Sequence, residues 1–125
     1  MSVPAELKYT SDHEWVKIEG DTATVGITDY AQGELGDIVY VEIETEGEAL
    51  DQGAVFGTVE AVKTVSDLFM PLSGEVVEVN DGIESEPESV NDSPYENGWM
   101  IKIKMSDPSQ AEALLSAEQY EQEIA

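Results

Sequence analysis

The feature that most constrains the fold is an internal echo. Gly36-Asp37-Ile38-Val39-Tyr40-Val41-Glu42 resembles Gly74-Glu75-Val76-Val77-Glu78-Val79-Asn80. Each copy is an apolar strand opened by a glycine and an acid. Each is followed by an acidic loop and then by a second strand, Ala54 to Val59 in one case and Trp99 to Lys104 in the other. Around the latter, Trp99, Ile101, Ile103 and Met105 alternate with Met100, Lys102 and Lys104, the period of a half-buried strand. Two similar units of short strands predict a mostly β, pseudo-symmetric sandwich.

The rest of the chain fits around that pair. His13 to Glu19 alternates, Glu19-Gly20-Asp21 is a turn signal, and Ala23, Val25 and Ile27 alternate in turn, so the segment reads as a hairpin. Thr28 is placed to cap a short helix that ends near Gly33 or Gly36. Glu84 to Asn97, rich in acids, serine, proline and asparagine, reads as a surface loop. Asp107-Pro108-Ser109-Gln110 and Ser116-Ala117-Glu118-Gln119 both have the form of a capped helix start. Two short C-terminal helices follow, with Leu114, Leu115, Tyr120 and Ile124 available to pack on the sheet. At 125 residues the expectation is one domain over 1–125, with a β core at about 13–105 and a helical segment at about 107–124.

Composition closes several routes to function. There are 28 carboxylates against five cationic side chains, all lysines, for a net charge of −23. Nucleic acid and anionic membranes both need a basic face, so neither is an expected partner. No apolar run approaches the ~18 residues of a membrane helix, and the N-terminus carries no signal-like pattern, so a cytoplasmic protein is expected. Such acidity suggests a salt-rich cytoplasm, as in halophiles, because salt shortens the reach of self-repulsion. No cysteine is present, which removes thiolate chemistry. His13 is the only histidine, no serine sits in a nucleophile elbow, and no phosphate loop or calcium loop is found.

Lys63 remains. It lies in Val59-Glu60-Ala61-Val62-Lys63-Thr64-Val65-Ser66-Asp67, between the two echoing units. Read from position alone, it is either a surface lysine in a turn or an amine presented for amide attachment of a carried group. Attachment needs the neutral amine, so a modifying enzyme must take the proton. An exposed lysine on a rigid turn suits that. Glu60, Ser66 and Asp67 flank the tip, either as recognition contacts or as solvated turn residues.

Several blocks, in order, resemble the glycine cleavage H-protein family: Lys8-Tyr9 with His13 to Val16; Gly26 to Gln32 with Leu35 to Val39; Val59 to Lys63 with Ser66-Asp67; Pro71 to Val76; and Asn91 to Tyr95 with Gly98 to Ile103. The resemblance runs from Leu7 to about Tyr120. It implies a barrel-sandwich hybrid of two similar β motifs with added short helices. It implies a non-catalytic lipoyl carrier, with lipoic acid in amide linkage on the lysine matching Lys63. A pyridoxal-phosphate glycine decarboxylase would load an aminomethyl group on the arm. A tetrahydrofolate-dependent aminomethyltransferase would unload it, and a lipoamide dehydrogenase would reoxidise the dithiol. Residues matching Glu60 and Gly47 are implied in recognition by the lipoate-attaching enzyme, and those matching Glu14 and Asp67 in the cleft beside the loaded arm. The chain departs from the family pattern at Ala61, Thr45 and Glu34, where serine, proline and histidine are common. Three other readings stand beside this one: a lipoyl carrier relaying lipoate to other enzymes, a biotin carrier, and an unmodified acidic β sandwich that only binds partners. Biotin carriers usually place methionine on both sides of the lysine, where Val62 and Thr64 stand here.

Overall fold

The computed structural model describes residues 3–124; Met1, Ser2 and Ala125, which belong to the expected domain, lie outside that range. Nine strands form two antiparallel sheets: β1 (Lys8–Tyr9), β2 (Glu14–Glu19), β3 (Thr22–Ile27), β4 (Ile38–Glu42), β5 (Ala49–Leu50), β6 (Val55–Ala61), β7 (Val65–Phe69), β8 (Gly74–Val79) and β9 (Ile101–Met105). The larger sheet has the order β1-β2-β3-β9-β8-β5, and the smaller has β4-β6-β7. The main core lies between them. Val16, Val25, Val76, Ile101 and Ile103 of the larger sheet join Ile38, Val41, Phe56, Val59 and Leu68 of the smaller in one buried cluster. The arrangement is sandwich-like, and no ladder among the described residues closes the two sheets into a barrel.

The internal echo is visible in the backbone. β4 pairs with β6 and β8 pairs with β9, one pair in each sheet. Val41 stands opposite Val59, and its counterpart Val79 opposite Ile101. Both ladders slip at the same place in the repeat, between Ile38 and Tyr40 in one and between Val76 and Glu78 in the other. Val39 and Val77, the residues skipped by the pairing, are both exposed. The bulge leaves two successive side chains facing outward, Val39 with Tyr40 and Val77 with Glu78, before the buried phase resumes at Val41 and Val79.

The hairpin of β2 and β3 forms with Glu19 opposite Thr22 and Gly20 at φ +66°. The Thr28 hydroxyl accepts from Ala31 N–H at 3.1 Å and caps α1 (Asp29–Leu35), which stops at Gly36, φ +82°. Trp15 needs the glycine across from it: a Cβ on Gly26 would stand 2.6 Å from Trp15 Nε1.

Two expectations at the C-terminal end need refinement. Ser116 and Gln119 form the reciprocal capping box, with Gln119 N–H donating to Ser116 Oγ (3.2 Å) and Ser116 N–H to Gln119 Oε1 (2.9 Å), and α4 (Ala117–Ile124) follows. Asp107 does accept from Ser109 N–H, but the helix it starts, Pro108–Ala113, is 3-10. Gln110 does not close a box there: its carbonyl oxygen accepts from Ser73 N–H at 2.7 Å and pins the helix to the turn before β8. Tyr120 is buried in a second cluster with Leu7, Tyr9, Trp15 and Ala117, against which Leu115 and Ile124 pack, so α4 covers the outer side of β1 and β2.

The expected loop at Glu84 to Asn97 is corrected. It contains the second half of α2 (Gly82–Ser85) and all of α3 (Glu88–Asp92), helices that each bury one residue, Ile83 just before the segment and Val90 within it. Helices of about one turn contribute one apolar side chain apiece, so they show no period for sequence reading to find.

Candidate functional site

The turn that carries Lys63 closes β6 onto β7. Glu60 pairs with Val65, and Ala61 N–H donates to Thr64 O at 2.7 Å. The turn is also tied sideways, because Val62 N–H donates to Asp37 O at 3.1 Å. The Asp37 segment is held in turn by α3. Asn91 accepts from Ile38 N–H (2.8 Å) and donates to Gly36 O and to Gln32 Oε1, both at 2.9 Å. A lysine turn is thus fixed to the end of α1 through one asparagine. A Cβ on Gly36 would come within 3.6 Å of Lys63 Cε, so the lysine stem passes close over a glycine backbone. Lys63 is exposed, and the ion pair found among the described residues, Lys102 with Glu78 at 3.7 Å, does not involve it.

Beside the same sheet lies a cleft of about 140 Å³. Ile27, Leu35, Val59 and Leu68 give it apolar walls, and Asp12, Glu14, Glu34 and Asp67 give it carboxylates. Glu14 is only 2% exposed. Its Oε2 accepts from Phe69 N–H at 2.8 Å, and its Oε1 from the Thr10 hydroxyl at 3.4 Å. Burial pushes its carboxyl up to about 8, the charge of Asp12 adds to the push, and the two hydrogen bonds oppose it. Near neutral pH Glu14 therefore holds a proton for most of the time. Glu34 bonds the hydroxyl of Tyr30 and, by that bond and its charge, pushes the phenol pKa up, disfavouring its ionisation.

His13 shapes the cleft from the other side. It is the non-glycine residue with positive φ among those described, +67°. Its Nδ1 lies 2.9 Å from Tyr120 Oη, which also lies 2.7 Å from Thr28 Oγ1. Its ring packs at 4.9 Å from that of Tyr30. The left-handed backbone at His13 is strained, and the α4 tyrosine holds it in place. In the sequence His13 is a lone histidine at the start of a strand, and Asn91 is one polar residue of an expected loop. Partners far away in sequence define both roles.

The expected site residues fall into groups. Glu60 is exposed, between Tyr40 and Val65 across the strands and next to the lysine turn. Glu14 and Asp67 meet in the one cleft. Gly47, φ +88°, is not brought to the tip. Its N–H donates to Val76 O at 2.7 Å, and nearby Thr45 Oγ1 donates to Phe56 O at 2.8 Å, at the end of β6 away from Lys63.

Fold and site define a class: small β sandwiches that display one lysine on a hairpin tip beside a part-apolar, part-acidic cleft. The model of the glycine cleavage H-protein family matches residues 7–125, and the chain belongs to that family. It is 58% identical to the glycine cleavage system H protein of Staphylococcus carnosus and 60% identical to that of Staphylococcus epidermidis. Each match covers 99% of this chain and 98% of the relative. The crystal structure of a glycine cleavage system H protein from Mycobacterium marinum superposes with a TM-score of 0.88, at 37% identity over 98% of both chains.

Proposed function

We propose that the chain is a non-catalytic lipoyl carrier of the glycine cleavage system, with Lys63 as the tether. The lipoyl group, when attached, supplies the disulfide that takes the aminomethyl group of glycine from a pyridoxal-phosphate decarboxylase, yields it to a tetrahydrofolate-dependent aminomethyltransferase and is reoxidised by a lipoamide dehydrogenase. The observation that carries this reading is the lysine turn itself, exposed at its amine and tied down through Val62 and Asp37.

The residues present fit such a group. A rise of about 3.3 Å per strand residue puts Asp67 roughly 13 Å along the chain from Lys63, so the cleft begins on the strand that leaves the tip. Its apolar walls suit an alkyl chain and its carboxylates suit a protonated amine. A cation arriving next to Glu14 favours the ionised carboxylate, and the proton held there then leaves. An amine–carboxylate contact gains ~1 kcal/mol at 4 Å in water and more where solvent is excluded. Glu60 is placed for recognition at the tip by the lipoate-attaching enzyme. Gly47 serves as a second contact only if that enzyme reaches around the smaller sheet.

Intact-mass measurement on protein from its native host tests the tether. A mass increase of one lipoyl group is expected, and Lys63→Ala abolishes it. An unshifted native mass from cells that lipoylate other proteins overturns the reading.

A further inference from the structure

Four exposed apolar side chains crowd the lysine end of the smaller sheet. Val62, next to Lys63, is 76% exposed and Val65 is 59% exposed, while Val39 and Tyr40 on β4 are about half exposed. Tyr40 stands opposite Glu60, and Glu60 opposite Val65, so the three form one cross-strand row on the outer face with the acid in the middle. The hydrogen bond from Val62 N–H to Asp37 O draws the turn toward the start of β4, where the bulge leaves Val39 and Tyr40 both facing outward. None of the described residues covers these side chains, and solvent would accept polar residues there. On a surface carrying 28 carboxylates, an apolar rim around one amine marks an interaction site.

The tether reading limits what can occupy that rim. An enzyme that works on the far end of a lipoyl arm can stand off from the tip, because the arm reaches to it. The enzyme that makes the amide cannot. Its reaction breaks the acyl–leaving-group bond of an activated lipoyl donor, forms the C–N bond at Lys63 Nζ and releases a proton. Its active site must close on that nitrogen, within a lysine stem of Val62. We propose that Val39, Tyr40, Val62 and Val65, set around Glu60, form the docking surface for the lipoate-attaching enzyme, which meets them with a concave apolar surface and one cation for Glu60. This assignment rests on the reading of Lys63 as the tether.

Lipoylation kinetics with purified attaching enzyme, an activated lipoyl donor and the full unmodified chain provide the test. The Val62→Ser/Val65→Thr double variant should raise KM for the protein roughly tenfold while kcat stays near native, the scale of losing central apolar contacts in an interface. Its melting temperature should not move, since both side chains are exposed. Val77→Ser, at the matching bulge of the other repeat and also exposed, should leave KM at the native value. Once driven to full lipoylation, the double variant should support glycine–bicarbonate exchange with its cognate decarboxylase at the native rate. A native KM for the double variant overturns the assignment. So does an equal defect in Val77→Ser, or a loss of exchange as large as the loss in lipoylation. A native chain that accepts no lipoyl group overturns the tether reading, and the rim assignment falls with it.

Discussion

Glu14 shows how far one side chain's chemistry departs from what its letter suggests. In sequence it is one acid among 28, lying between a histidine and a tryptophan. In the fold it is buried, bonded to Phe69 N–H, and pushed up to about 8. The sign of the consequence follows from linkage. The folded state holds this proton more tightly than the unfolded chain does. Glu14's contribution to stability is therefore fully present below the ordinary carboxyl range of about 4.5, lost as pH rises toward about 8, and flat beyond. Glu14→Gln keeps the acceptor for Phe69 N–H and cannot ionise. Urea midpoints from about pH 5 to 9 should fall in the native protein and lose most of that slope in the variant. Equal slopes would mean that Glu14 is not the group that titrates. Nothing local in the sequence distinguishes this acid, because the backbone group it bonds, Phe69 N–H, lies 55 residues away on β7.

Among elements, α3 does the least expected work. One buried valine anchors it, and through Asn91 it satisfies Ile38 N–H and Gly36 O, two backbone groups at the start of β4. Asn91→Ala leaves an amide and a carbonyl without these partners, at a cost of about 1–3 kcal/mol for each group that water cannot reach. A drop in unfolding free energy of that order is expected, read from urea denaturation. Faster amide exchange at Val62 should accompany it, because its acceptor Asp37 lies in the segment Asn91 holds. If Val62 protection falls no more than that of the distant β2–β3 hairpin, the asparagine stabilises the fold without fixing the tip. The strands, by contrast, were largely legible. The alternation in β3 and β9 is a period-2 pattern that names its own buried face, whereas the bulges in β4 and β8 break that period. Even so, Ile18, in phase with the buried Val16, ends up partly exposed at the end of β2, since a pattern does not say where the covering layer stops.

For the whole molecule the governing quantity is charge. The net charge is −23, and among the described residues one ion pair, at 3.7 Å, brings opposite charges together. The compact state therefore bears repulsion that the expanded chain relieves. The Debye length falls from about 8 Å at physiological salt to about 3 Å at 1 M, so the melting temperature should rise by several degrees between low and molar sodium chloride. A flat or falling temperature would show that the carboxylates are spaced widely enough to ignore one another, and would remove the argument for a salt-rich setting.

The sequence by itself determined the two β units, the hairpin before them, the cap at Thr28 and the lysine between the echoes. Each depends on residues within a few positions of one another, through strand period, turn chemistry or a capping hydroxyl. Only the tertiary structure decided that Glu14 is buried with its carboxyl pushed up, that Gly47 lies away from Lys63, and that α3 pins the lysine turn. Those facts are set by which surfaces exclude water and which distant backbone groups need partners. Both arise when the two sheets close over their core, and no stretch of the chain carries either alone.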